Sequence, residues 1–162
     1  MKQFVTCEVD GCALCVPIGA IQEVHGIREI TPVRRAPEYV AGLLNLRGHV
    51  ITMIDLGARI GTERGTGPRE QNIVLKPLEA LRRAGLVSDQ VDPELQQDVI
   101  GLAVDAVGDV IEAEEDVMEA TPANLSGLQA EFFGGVVRLD NCVYPIVDVS
   151  RVIRIDQAAC AA

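Results

Sequence analysis

Four of the five cysteines have a spacing that could bind an iron–sulfur cluster. Cys7, Cys12 and Cys15 form the pattern C-x4-C-x2-C, and Cys142 follows far downstream. This is the spacing of plant-type two-iron clusters, in which four thiolates bind the iron atoms. Cys7, however, lies in an alternating apolar segment typical of a strand, and cysteine often serves as a small buried apolar side chain. An iron–sulfur or redox protein using these four residues stays an alternative interpretation.

Other side chains with catalytic potential lack the spacing that chemistry requires. His25 and His49 are far apart and form no metal-binding pattern such as HExxH. No serine lies in a nucleophile elbow, and no glycine-rich phosphate loop occurs. The sequence therefore predicts no catalytic residues, no metal, no cofactor and no enzymatic activity.

Two aspartates have matching positions, which suggests either a structural or a catalytic role. Asp55 and Asp148 each follow a short apolar segment and precede a helix-prone one, residues 56–60 and 149–153. An aspartate at this position accepts hydrogen bonds from the free N–H groups of the first helical turn. The alternative is a pair of catalytic carboxylates. We favour the capping role, because repeated placement by duplication requires no chemistry.

The placement of these residues reflects an internal repeat. Residues 42–56 align without a gap to residues 135–149, at an offset of 93. Residues 14–24 align to residues 100–110, at an offset of 86. The two blocks occur in the same order in each half of the chain. Such self-similarity is the signature of one structural unit used twice, and it predicts two pseudo-symmetric lobes.

Turn residues indicate that the repeated unit is built from hairpins. Gly48 in one copy corresponds to Asn141 in the other, and both residue types tolerate the positive φ that tight hairpins demand. Asp10-Gly11 is another favoured turn pair, and Gly85 is placed to end a short helix. The remaining predicted elements are a hairpin (residues 3–18), two strands (residues 72–76 and 99–105), a helix (residues 78–84) and an exposed loop (residues 61–69).

Charge and hydropathy exclude several classes of partner. The net charge is −10, and residues 89–119 hold eleven acidic residues and no lysine or arginine. An acidic chain without a basic stripe is a poor match for nucleic acid. No apolar segment approaches the roughly 18 residues of a membrane span. The odd cysteine count and the lack of a signal-peptide pattern predict a reducing, cytoplasmic compartment, without direct membrane insertion.

The sequence resembles the CheW-like family of chemotaxis coupling proteins. The Asn-Leu-Arg-Gly turn at residues 45–48, followed by an apolar strand and Asp-Leu, is the family's most characteristic feature. The resemblance extends from about residue 4 to residue 155. The matching segments are residues 30–33, 36–48, 50–56, 101–107 and 135–148.

The resemblance implies a fold and a role. The fold is mainly β, with two pseudo-symmetric SH3-like five-stranded β-barrels packed side by side and short helices. Residues 1–162 would form a single CheW-like domain with two such lobes, and residues 77–98 would be an insertion between two strands. The implied role is a non-enzymatic adaptor that couples the cytoplasmic tips of methyl-accepting chemoreceptors to the regulatory domain of the histidine kinase CheA. A chemotaxis-like pathway that controls pili or surface sensing is an alternative.

Carried over by position, the resemblance also implies receptor-binding residues, each with a simpler alternative. Arg47 could be a solvated turn residue, Ile21 could belong to the core, and Glu23 could be an outward strand position. The insertion could be either a partner-binding face or a tolerated surface loop, and surface loops cost little to lengthen. The implied receptor-binding residues are Ile21, Glu23, Asn45, Arg47 and Val50.

Overall fold

The structure is a computed structural model that describes residues 1–62, 69–87, 99–121 and 127–154. Within these ranges the chain consists mainly of short β-strands. The strands are β1 (Lys2–Val9), β2 (Cys12–Pro17), β3 (Ile21–His25), β4 (Val40–Leu46), β5 (His49–Asp55), β6 (Gln71–Leu75), β7 (Val99–Val104), β8 (Ala106–Ala113), β9 (Met118–Glu119), β10 (Phe133–Leu139) and β11 (Cys142–Val147). The α-helices are α1 (Leu56–Ile60), α2 (Leu78–Arg83) and α3 (Val149–Val152).

The strands form two sheets, which confirms the predicted mainly-β, two-lobed fold. One sheet has five strands in the order β3-β6-β7-β5-β4, and we call its lobe the five-stranded lobe. The other has the order β8-β1-β2-β11-β10-β9 and forms the six-stranded lobe. The extra strand is β9, which is only two residues long and pairs with β10 at the edge.

The two sequence repeats exchange their first hairpins between the lobes. The first repeat runs from β1 to α1, yet its hairpin β1–β2 lies in the six-stranded sheet. The second repeat starts at β6, and its hairpin β6–β7 lies in the five-stranded sheet. The parallel pairs Met53–Gly101 and Ile146–Cys15 are equivalent under the offsets found in the sequence. Each lobe therefore contains strands from both repeats, and the lobes fold as one unit.

The hairpins have the turn geometry that the sequence predicted. In each two-residue turn both residues have positive φ, which is the type I′ conformation that matches strand twist. The φ angles are 50° and 80° at Asp10 and Gly11, 53° and 84° at Arg47 and Gly48, and 48° and 64° at Asp140 and Asn141.

The five-stranded sheet closes on itself through the segment that follows β3. Thr31 exchanges two backbone hydrogen bonds with Leu43 of β4, at 2.9 and 2.8 Å. The equivalent contact in the other lobe joins Glu119 of β9 to Val136 of β10. Both contacts link the chain after one edge strand to the opposite edge strand, so each sheet curls toward a barrel.

Within the described ranges, apolar side chains form three separate cores. One lies within each lobe, around Met53 in the five-stranded lobe and around Ile146 in the six-stranded lobe. The third and largest includes residues of both sheets, among them Leu14, Leu102 and Val147. Burial of this shared apolar surface holds the lobes together.

Part of the segment predicted to be an insertion contributes to this shared core. Leu81 of α2 is buried, and Val87 is buried just after the helix. The helix ends before Gly85, whose φ is 73°, as the sequence predicted. Residues 88–98 lie outside the described ranges. Residues 77–87 are therefore not simply a tolerated surface loop, since removing them would uncover apolar core.

The predicted capping role of the two aspartates is confirmed. The Asp55 carboxylate accepts a hydrogen bond from the Ala58 N–H at 3.1 Å, at the start of α1. The Asp148 carboxylate accepts one from the Ser150 N–H at 3.1 Å, at the start of α3. Each aspartate thus begins a different helix.

The prediction that residues 61–69 form an exposed loop is wrong at its last residue. The Arg69 side chain is 1% exposed and forms ion pairs with Asp10, Asp55 and Asp105. The respective nitrogen–oxygen distances are 2.5, 2.9 and 3.2 Å. Residues 63–68 lie outside the described ranges. Burial by itself would lower the pKa of the Arg69 guanidinium. The hydrogen bonds that its N–H groups donate to the three carboxylates outweigh this effect, so the pKa is raised and Arg69 stays charged.

We call Arg69 and its three aspartates the Arg69 cluster. This cluster connects both lobes, at the point where the chain passes from one sheet to the other. Asp10 lies in the β1–β2 turn of the six-stranded lobe, and Asp55 ends β5 of the five-stranded lobe. Asp105 is the single residue between β7 and β8, where the chain passes from one sheet to the other. A planar guanidinium with five donors suits this multiple contact better than a lysine would.

Candidate partner-binding surface

The residues implied to bind receptor lie in the five-stranded lobe, on β3 and on the β4–β5 hairpin. Asn45, Arg47 and Val50 are exposed around the hairpin turn, and Glu23 is half-buried on β3. Ile21 differs, because its side chain packs against the core shared by the lobes. The structure therefore places four of the five residues on one surface and favours a core role for Ile21.

An ion pair between Glu23 and Arg47 is the centre of this surface. Arg47 Nη2 lies 2.5 Å from both Glu23 carboxylate oxygens. Because β3 and β4 are opposite edges of their sheet, the pair joins the two edges where the barrel closes. Hydrogen bonds from Arg47 lower the pKa of the Glu23 carboxyl, and the nearby His25 adds to this effect. Glu23 is thus more than an outward strand position.

The backbone at Arg47 has a conformation that arginine rarely adopts. Its φ of 53° lies in the left-handed region, where glycine, asparagine and aspartate are more common. Asn45 shapes the turn, since its Oδ1 accepts a hydrogen bond from the Gly48 N–H at 3.1 Å. The equivalent position in the other lobe holds Asp140, which fits this conformation better. The turn therefore does not require an arginine, which points to a role for the side chain itself.

Exposed apolar side chains accompany these charges. Val50 is 55% exposed beside the turn. Ile27, just beyond β3, is 77% exposed. A surface that combines an arginine with exposed apolar residues is typical of protein–protein contacts.

Sequence analysis did not identify two further residues of this surface, His25 and Arg28. His25 Nε2 lies 3.3 Å from a Glu23 carboxylate oxygen, and its Nδ1 lies 3.4 Å from Arg28 Nη2. In the sequence, His25 is a histidine outside any metal-binding pattern. The available signal was its spacing, since His25 and Glu23 are two apart on one strand and so share a face.

The other lobe does not repeat the ion pair. The positions equivalent to Glu23 and Arg47 are Asp109 and Asp140, which are both acidic. Its nearest counterpart is a longer contact of 3.3 Å between Arg138 and Glu119. The two lobes thus share a backbone plan but present different charges, so a partner can distinguish them.

The four cysteines do not come together at one site. Cys7 packs in the core shared by the lobes, whereas Cys15 faces the interior of the six-stranded lobe, on the opposite side of the sheet. Cys142 is exposed next to a hairpin turn. Burial raises the pKa of both Cys7 and Cys15 to about 12, which disfavours the thiolate that binds metal. Among the described residues, no three His, Cys, Asp or Glu side chains are grouped to hold a metal ion.

This arrangement predicts a large difference in thiol reactivity. In a Cys160→Ala background at pH 7.5, Cys142 should react with a thiol reagent within minutes, because it is exposed. Cys7 and Cys15 should stay unmodified until the protein unfolds, since they are buried with a raised pKa. Mass spectrometry of labelled peptides measures each rate. Fast modification of Cys7 in the folded protein would contradict the assigned strand faces.

Comparison with known proteins identifies the family. A family model described as "CheW-like domain" matches residues 3–157. The chain is 28% identical over 151 residues to the "Chemotaxis protein CheW" of Rhizobium meliloti, covering 93% of this chain and 86% of that protein. It is also 26% identical over 151 residues to the "Probable chemotaxis protein CheW" of Rhizobium etli, again covering 93% of this chain and 86% of that protein.

A solved structure shows the same fold. The crystal structure of the scaffolding protein TtCheW from Thermoanaerobacter tengcongensis has a TM-score of 0.75 and 24% sequence identity to this chain. The match covers 96% of this chain and 94% of that one. In the described part of the chain, no helix is long and apolar enough to cross a membrane. Because the family model covers nearly the whole chain, this chain belongs to the CheW-like family.

Proposed function

We propose that this protein is a cytoplasmic, non-enzymatic adaptor that couples chemoreceptor tips to the regulatory domain of the histidine kinase CheA. The receptor contact is the surface around Glu23 and Arg47, with Asn45 shaping the turn and Val50 contributing apolar area. The observation that carries this proposal is an arginine in a left-handed turn position, held by a carboxylate from the opposite edge of the sheet.

The conformation of Arg47 supports a binding role through its energetic cost. A non-glycine residue in the left-handed region costs on the order of 1 kcal/mol. The Arg47 side chain is 68% exposed, and an ion pair this exposed contributes little to stability. The pair therefore adds little to folding beyond that cost. The main effect of the ion pair is to hold the N–H groups of the Arg47 guanidinium in one orientation. This reduces the side-chain conformational entropy that is lost when a partner binds.

We expect Arg47→Asp to weaken binding to a receptor cytoplasmic tip by at least about tenfold, as at a central hot-spot residue. Binding to the kinase regulatory domain should be unchanged. The fold should survive, because Asp140 already occupies the equivalent turn position in the other lobe. Pull-down and titration with both partners from the same genome measure these affinities, and circular dichroism checks the fold.

A matched control comes from the equivalent hairpin of the other lobe. Arg138→Asp makes the same charge change at an arginine that is also exposed and ion-paired, to Glu119. It should leave receptor affinity unchanged. Equal loss in both variants would mean that net charge, rather than this surface, governs binding. Unchanged receptor affinity in Arg47→Asp would refute the assignment of this surface.

A further inference from the structure

We propose that the segment after β3 is part of the receptor contact, with Ile27 as its apolar anchor and Asn72 as the residue that positions it. The Ile27 side chain is 77% exposed. The next residue, Arg28, is also exposed, and its Nη2 lies 3.4 Å from Nδ1 of His25, so the segment is continuous with the surface around Arg47. The proposal rests on the proposed function, because it assigns the apolar anchor of that same surface.

A buried amide fixes the start of this segment. Asn72 lies on β6 and is 1% exposed. Its Nδ2 donates a hydrogen bond to the Gly26 carbonyl oxygen at 2.9 Å. Burying an amide is unfavourable unless it is hydrogen-bonded, so the contact with Gly26 gives a reason for a polar residue at this position. The strand partner of Asn72 is His25, the last residue of β3, and the chain leaves the sheet directly after it.

The end of the segment is fixed as well. Thr31 exchanges its two backbone hydrogen bonds with Leu43 of β4. Ile30 packs against the core of the five-stranded lobe, whereas Ile27 is exposed to solvent. Only four residues separate Gly26 from Thr31. Because both ends are fixed, the backbone at Ile27 has little freedom, and a preorganised side chain loses less conformational entropy when a partner binds.

The six-stranded lobe shows that the fold does not require this arrangement. In the pairing of β1 with β8, Phe4 takes the place that Asn72 has in the other lobe, and it is buried in the core. Strand β8 then continues to Ala113, which is 2% exposed and corresponds to Ile27 at the offset of 86. A buried asparagine in place of the phenylalanine thus accompanies a strand that ends earlier and an isoleucine that is exposed. This difference points to a role for the segment itself.

These features define the chemistry of the partner group. An isoleucine that is exposed on a fixed backbone fits an apolar recess, because entering the recess removes its side chain from water. Arg28 beside it only donates hydrogen bonds, so the rim of the recess must offer an acceptor such as a carboxylate. We therefore infer that the receptor tip presents an apolar recess with an acceptor at its rim.

Substitution of the anchor tests the contact. Ile27→Ser should lower the affinity for a receptor tip about tenfold, because most of the apolar burial on binding is lost, and affinity for the kinase regulatory domain should not change. Val143→Ser is the matched control, since Val143 is 40% exposed on a hairpin of the six-stranded lobe, and it should keep receptor affinity. If wild type binds the tip and Ile27→Ser binds equally well, this proposal fails and the proposed function stands. If wild type binds no receptor tip, the proposed function fails, and the contact assigned to Ile27 fails with it.

A double-mutant cycle tests the positioning role of Asn72. Asn72→Ala should lower receptor affinity about threefold, since the released segment must become ordered on binding. Ile73→Val removes a buried methyl group at the neighbouring position, and it should leave affinity unchanged, which separates positioning from a general loss of stability. The effect of Asn72→Ala should disappear in the Ile27→Ser background, because the two residues act through one contact. Additive losses in the double variant, or equal losses in Asn72→Ala and Ile73→Val, would overturn the positioning role.

Discussion

Arg69→Met is expected to lower the free energy of unfolding by about 3–5 kcal/mol, which is the usual cost of removing one partner from a buried ion pair. Arg69 contacts three carboxylates, and its side chain is 1% exposed. Without the guanidinium, Asp10, Asp55 and Asp105 keep their negative charges close together, with less solvent than in the unfolded chain. Urea unfolding followed by circular dichroism measures the loss.

A conservative variant separates the charge of Arg69 from its geometry. Arg69→Lys keeps the charge but not the planar fork, so its stability should lie between those of the wild type and Arg69→Met.

An exposed ion pair provides the control for this prediction. Arg83 pairs with Glu79 one turn away on α2, and both side chains are more than three-quarters exposed. Arg83→Met should change stability by less than about 0.5 kcal/mol. A loss below about 1 kcal/mol in Arg69→Met would show that the cluster does not connect the lobes as described.

The sequence predicted those features of the fold that local patterns encode. Turn pairs such as Asp10-Gly11 predicted the hairpins, and the offsets of 93 and 86 predicted two lobes. The same offsets relate the parallel pairs of the two sheets. Local chemistry determines turn type and strand alternation, so these features can be read from short segments.

The exchange of hairpins between the lobes could not be predicted in this way. Whether β1–β2 pairs with β11 or with β5 depends on contacts between distant parts of the chain, and a local pattern carries no signal for them. Arg69 was missed for the same reason, since it lies in a segment rich in glycine and charge. Its three partners are separated from it by 14 to 59 residues in sequence.

The candidate surface was partly predictable. The comparison of Arg47 with Asp140 showed that the turn does not need an arginine, and this argument came from the repeat alone. The pairing of Arg47 with Glu23 could not be predicted from the sequence. It forms only because closure of the barrel brings together the two opposite edges of the sheet. Ile21 was ambiguous because a half-buried strand residue can belong to a core or to a surface.

Barrel closure leads to the second large expected effect, at two equivalent glycines. Gly42 and Gly135 have φ angles of 146° and 133°, and each lies where the closing segment meets its edge strand. A Cβ on Gly42 would collide with the Thr31 carbonyl oxygen, and one on Gly135 would lie 2.7 Å from the Glu119 carbonyl oxygen. Both obstacles are backbone atoms, which cannot rotate away as side chains can. Gly42→Ala and Gly135→Ala should therefore each lower the free energy of unfolding by about 3 kcal/mol.

The neighbouring glycine in β10 separates this cause from a general effect of replacing glycine. Gly134 has no atom within 4 Å of an added Cβ, and its φ is not positive. Gly134→Ala should leave stability unchanged or raise it slightly, since alanine has less conformational freedom in the unfolded chain. Thermal unfolding of the three variants measures the contrast. Equal losses at Gly134 and Gly135 would mean that loss of glycine itself, rather than crowding at the closing segment, destabilises the strand. A loss at Gly135 but not at Gly42 would show that only the six-stranded lobe depends on this contact, because the same backbone collision is expected in both.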